Sequence, residues 1–121
     1  MSLDSYKSLI VWQKAIHLVK EIFLITNTFP KSEMYGLTAQ MRRAVVSIPS
    51  NIAEGYGRNS RKEYTQSLAI AYGSLLELET QLIIAKELQF ISVPNYTKID
   101  LLIQEIMKML YVLRKKIIPK P

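Results

Sequence analysis

Cysteine is absent from this 121-residue sequence, and histidine and tryptophan occur once each. The missing thiols remove disulfides, thiolate metal ligands and cysteine nucleophiles together, and they match a reducing compartment such as the cytoplasm. A di-iron helical bundle needs Glu-x-x-His pairs, yet no glutamate stands three residues before His17. No serine or threonine accompanies a recognisable base and orienting acid. Gly55-Tyr56-Gly57-Arg58 lacks the Lys-Ser/Thr that completes a phosphate loop and reads as a helix stop, with glycines free to take the left-handed conformation there. The expectation is a protein that is not an enzyme and has no metal or cofactor. With four glycines and five prolines in a chain that is 49% hydrophobic, disorder and low-complexity classes are excluded. The N-terminus lacks a signal-peptide pattern, and charged or amide residues break every apolar run short of the ~20 residues of a membrane span. These features predict one soluble, cytoplasmic domain over 1–121, with no membrane partner.

What is present is helical periodicity. Trp12, Ala15, Ile16, Val19, Ile22 and Phe23 recur at three- and four-residue spacing and predict a helix over about 9–26. Leu37, Met41, Ala44, Val45, Ile48 and Ile52 predict a second over about 34–55, with Pro49 inside it as the cause of an expected kink. Ser60 and Glu63 form a capping box that opens a third helix over about 60–88, with the seam Tyr64, Leu68, Ala71, Leu75, Leu78, Leu82 and Ala85. Ser92-Val93-Pro94-Asn95 opens a fourth over about 94–117, with the seam Ile99, Ile103, Ile106, Leu110, Leu113 and Ile117. No strand alternation competes. Short connections between four amphipathic helices predict an all-α, up-down-up-down four-helix bundle with a kinked second helix.

Two patterns exceed what a bundle core needs. The third helix carries Ile70, Tyr72, Leu76, Ile83 and Ile84 outside its seam. Either neighbouring helices wrap them or a second copy covers them, and the surplus favours self-association. On the second helix, Gln40, Arg43, Ser47, Asn51 and Glu54 follow helical spacing beside the apolar stripe, and on the third Glu79 falls among apolar residues. A carboxylate there needs a partner, so these six are expected to form a buried structural network that fixes helix register.

The charge balance is basic, with net charge +6 and an isoelectric point near 9.6. Arg58, Arg61 and Lys62 flank the start of the third helix, and Arg114, Lys115 and Lys116 close the fourth. Cations in the last turn of a helix complement its dipole in ordinary proteins, whereas Arg61 and Lys62 in a first turn gain nothing from theirs. An antiparallel arrangement brings both clusters to one end of the bundle, a geometry suited to phosphate backbones without base readout.

The blocks GLTAQMRRAVVSIPSNIAEGYGR, Gly36–Arg58, and IAYGSLLELETQL, Ile70–Leu82, closely resemble the bacterial four-helix proteins of the 23S rRNA intervening-sequence protein family. The similarity extends through Val11-Trp12-Gln13-Lys14-Ala15, Phe29-Pro30-Lys31 and Lys108-Met109-Leu110. The resemblance implies a ring-shaped homopentamer of four-helix protomers. It also implies similarity to the accessory protein of diversity-generating retroelements, which binds nucleic acid and works with a reverse transcriptase. It supplies no catalytic residues. The expected function is therefore a homo-oligomeric binding or accessory module, contacting RNA or DNA through a basic rim or serving a nucleic-acid enzyme as a protein partner. The alternative is a protein interaction scaffold that does not touch nucleic acid.

Overall fold

In a computed structural model that describes residues 5–118, the chain forms α1, Ile10–Thr26, α2, Leu37–Tyr56, α3, Arg61–Glu87, and α4, Val93–Ile117, with short 3-10 turns at Tyr6–Ser8 and Lys31–Glu33. The helices pack in cyclic order, α1 on α2, α2 on α3, α3 on α4 and α4 on α1. No close backbone approach crosses either diagonal among the described residues. Ion pairs from Lys14 to Glu105 and from Glu21 to Lys98 run α1 antiparallel to α4, completing the up-down-up-down bundle.

Each boundary has a local cause. α3 starts where the Ser60 hydroxyl accepts from the Glu63 amide at 3.1 Å, and Glu63 reaches back to the Ser60 hydroxyl, not to its backbone amide. Ser92 caps α4 in the same way through the Asn95 amide. α3 ends with Phe90 N–H donating to the Ala85 carbonyl and Gln89 N–H to that of Lys86, a Schellman pair that puts Gln89 at φ 62°. α2 begins later than expected, at Leu37. Glu33 folds its carboxylate back to the Leu37 amide at 3.3 Å, so residues 34–36 belong to the turn. Pro49 is buried inside α2, which stays helical on both sides of it.

Gly55 and Gly57 do not take the left-handed conformation. Gly57 closes α2 at φ −81°, and no described glycine has positive φ. What Gly55 supplies is space, because a β-carbon there would lie 2.6 Å from that of Ser67 on α3. Farther along the same contact, the Ser47 and Ser74 hydroxyls meet at 2.8 Å. Small residues thus set a close α2–α3 approach.

The core is one cluster drawn from all four helices, with Leu18, Ile22, Met41, Ile48, Ile52, Leu75, Leu82, Ile103 and Leu110 fully buried. Each such side chain contributes about 1.5–3 kcal/mol relative to exposure. The buried stripe of α1 is Val11, Ala15, Leu18 and Ile22, and the expected members Ile16 and Phe23 face outward. At the end opposite the α2–α3 turn, Phe29 and Phe90 stack with centroids 5.6 Å apart and tie the other two connections together.

Candidate nucleic-acid interface at one end of the bundle

The up-down-up-down order gathers the start of α1, the α2–α3 turn, the start of α3 and the close of α4 at one end. Arg58 enters from the turn, Arg61 and Lys62 from the first turn of α3, and Arg114, Lys115 and Lys116 from the last turn of α4. Lys7 joins them from the 3-10 turn before α1, whose first residues share a groove with Lys116. Lys7 stands alone in the sequence and forms a cluster only once the fold brings its neighbours in.

These cations are not equivalent. Arg58 donates to Glu54 at 2.6 Å and lies 3.8 Å from Glu63, so two carboxylates already offset its charge. Arg61 and Lys62 are exposed and form no ion pair among the described residues. The Lys115 ammonium stands 5.5 Å from the centre of the Tyr111 ring, a contact that positions the charge without cancelling it. Arg114 is half-buried, with an Nε that finds no acceptor among the described residues. Beneath this end, Tyr56 and Tyr64 pack edge to face at 6.1 Å, and burial, then the neighbouring Tyr56, raises the Tyr64 hydroxyl above its ordinary pKa.

The six residues expected to form one buried network do not form one, and of the six it is Ser47 and Asn51 that hydrogen-bond each other. Asn51 donates to the Ser47 carbonyl at 2.8 Å and to its hydroxyl at 3.0 Å, and that hydroxyl meets Ser74, giving a short chain across α2 and α3. Glu54 is exposed and pairs with Arg58 on the surface. Glu79 accepts from Gln104 of α4 at 2.7 Å, in a separate group that includes Asp100. Gln40 and Arg43 are exposed. The reason is the small-residue approach: a seam tight enough to need Gly55 and Ser74 has room for hydroxyls but not for a guanidinium. Of the adjacent arginines on α2, Arg42 is the one with fixed partners: it donates to Thr26 and Asn27 at 2.9 Å each and lies 4.8 Å from the centre of the Phe23 ring. This arginine ties the last turn of α1 to α2, far from the basic end.

The surplus apolar residues of α3 divide. Ile70, Leu76, Ile83 and Ile84 are exposed, whereas Tyr72 is half-buried and lines a shallow groove with Met107 and Tyr111 of α4. By length and composition α3 is apolar enough to cross a membrane, with a mean hydropathy of 1.3 over its most apolar window. Its seam is nevertheless committed to the bundle core.

The fold and the sequence blocks together define a class. The sequence model of the 23S rRNA-intervening sequence protein matches residues 7–112. The chain belongs to that family. Among solved structures, it is similar to a protein of unknown function from the S23 ribosomal protein family of Bacteroides thetaiotaomicron, with 24% identity, a TM-score of 0.82, and coverage of 88% of this chain and 99% of the other. That likeness supports the four-helix fold. No curated protein matches the sequence.

Proposed function

We propose that this protein is a non-enzymatic, homo-oligomeric accessory module of the bacterial cytoplasm that holds RNA or DNA by its phosphate backbone through the basic end of the bundle. The observation that carries the reading is the convergence of Arg61, Lys62 and Lys115, three cations without carboxylate partners among the described residues, at one end of the bundle. Exposed cations of this kind suit contacts to phosphate, so the expected sequence preference is weak. The cysteine-free composition suits the cytoplasm.

Self-association is part of the same reading. Ile70, Leu76, Ile83 and Ile84 stand 41–55% exposed along one helix, an apolar surface that a second copy would cover. Five copies is the number we favour, from family resemblance, and a ring repeats the basic end once per copy as a rim. A nucleic-acid enzyme is the kind of protein partner such a rim would serve. The same exposed surface favours the second reading, a protein interaction scaffold. Retention on heparin separates the two. The nucleic-acid reading expects elution to fall steeply with salt, and a protein that passes through heparin and RNA columns at low salt would leave only the scaffold.

A further inference from the structure

Near the basic end, α1 and α4 leave between them a groove of about 330 Å³. Its walls include Ile10, Met109, Val112 and Leu113, and Lys108 and Lys116 border it, with no carboxylate in the lining among the described residues. Glu105, one turn earlier on α4, is already engaged by Lys14 at 3.1 Å. An occupant must therefore be apolar along its middle and anionic at its edges.

The outward face of α3 carries that pattern. Ile70, Glu77, Ile84 and Glu87 share one stripe by helical spacing, with Ile83 beside it, and all are exposed. Glu77 only accepts a 3.4 Å hydrogen bond from Gln81, and Lys86 is drawn aside over the Tyr96 ring at 4.3 Å, so the face keeps its negative charge. At about 1.5 Å per residue, Glu77 and Glu87 stand roughly 15 Å apart along α3, and Lys108 and Lys116 roughly 12 Å apart along α4. In both, the charges bracket an apolar stretch, Ile83 and Ile84 in one and Met109, Val112 and Leu113 in the other.

A single copy cannot join its own two surfaces, because α3 and α1 are diagonal in the bundle. We infer that the Glu77–Glu87 face of one copy seats in the Lys108–Lys116 groove of the next, an inference that rests on the self-association reading above. The contact is head to tail: every copy keeps a free face and a free groove until the series closes into a ring or runs on as a filament. Apolar residues form its centre and the four charges its rim. Lys116 then serves the contact between copies, leaving Arg61, Lys62 and Lys115 for phosphate.

The test compares full-length proteins by size-exclusion chromatography with light scattering and by far-ultraviolet circular dichroism. The parent assembles. Lys108→Glu with Lys116→Glu, and separately Glu77→Lys with Glu87→Lys, fall to the 13.9 kDa monomer with helicity retained. The protein carrying all four changes assembles again, and an equimolar mixture of the two monomeric variants associates into open chains or even-numbered rings, because an odd ring cannot alternate the two. Val112→Asp, at an exposed position in the same groove, is an independent variant with the same expected loss. A monomeric parent overturns the self-association reading and this inference with it. An assembling parent whose groove variants assemble equally well overturns this inference alone and leaves the groove to another occupant, such as an acidic helix of a different protein. Failure of the four-site protein to assemble, when both two-site variants are folded monomers, overturns it as well.

Discussion

Gly55 on α2 and Ser67 on α3 approach so closely that a β-carbon on the glycine would lie 2.6 Å from that of the serine and 3.0 Å from the Tyr64 ring. No flexible side-chain end is available to yield, since the nearest atom is itself a β-carbon. Gly55→Ala therefore gains helix propensity but forces the two helices apart, and should cost a net of about 1–3 kcal/mol. Gly73 lies on the open side of α3, with nothing within 4 Å of its added β-carbon. Gly73→Ala should instead stabilise by about 0.4–1 kcal/mol. Urea midpoints that move the same way for both would show that the α2–α3 approach does not set the role of Gly55.

Gln89 occupies the left-handed position of the Schellman pair that closes α3, at φ 62°. Its side chain is exposed and makes no hydrogen bond among the described residues, so little compensates the backbone penalty. Gln89→Gly should raise stability by up to about 1 kcal/mol, and Gln89→Val should lower it, because a β-branched residue tolerates positive φ least. Thermal unfolding checks both, and a destabilising glycine would mean that Gln89 has an unrecognised packing role.

The contrast between the α1 and α3 stripes indicates what was legible in the sequence. In α3, an unbroken four-three-four-three run marked the seam even though other apolar residues lie beside it, and Leu68, Ala71, Leu75, Leu78, Leu82 and Ala85 are buried as expected. In α1, apolar residues occur almost all round, and two stripes offset by one residue score alike. Packing against α2 and α4 selects the one containing Val11 and Leu18 over the one containing Ile16 and Phe23. The polar stripe failed for a different reason. Spacing alone places Arg43 beside Ser47, but not the distance between helices, and the small residues at Gly55, Ser67 and Ser74 leave no volume for a buried guanidinium. Lys7 and the α1–α4 groove were illegible because residues far apart in sequence compose them.

The division of the polar stripe separates its members energetically. Glu54 and Arg58 form a half-exposed i,i+4 pair at 2.6 Å, with side-chain exposures of 59% and 46%. Glu54→Ala and Arg43→Ala should each change stability by less than about 1 kcal/mol. Ser74→Val should cost more, about 1–3 kcal/mol, because it deprives the Ser47 hydroxyl of its cross-helix partner and adds bulk to the tight seam. A Glu54→Ala loss equal to that of Ser74→Val, measured by calorimetry, would restore the buried-network expectation.

The last prediction concerns the basic end, where charges of one sign differ in how far they are already satisfied. Arg58 is shared between Glu54 and Glu63, so removing it also frees two carboxylates and leaves the end less positive by that one charge. Arg61, Lys62 and Lys115 face solvent with no acid to neutralise them among the described residues. Changing these three to alanine should abolish a low-salt mobility shift with a random-sequence RNA or DNA, and should leave the oligomeric state untouched. Any residual binding should show a shallower dependence on salt, by about 0.7 per lost contact on single strands and about 0.9 on duplex DNA, in logarithmic units. Arg58→Ala should weaken binding as well, because the freed carboxylates repel phosphate, and Glu54→Gln should strengthen it by releasing Arg58. A triple variant that binds as tightly as the parent at low salt would exclude the basic end as the contact surface. Glu21→Gln raises the net charge by the same amount away from this end, where Glu21 pairs with Lys98, so strengthening by Glu54→Gln that exceeds that of Glu21→Gln tests the arrangement of the basic end more sharply than any alanine change.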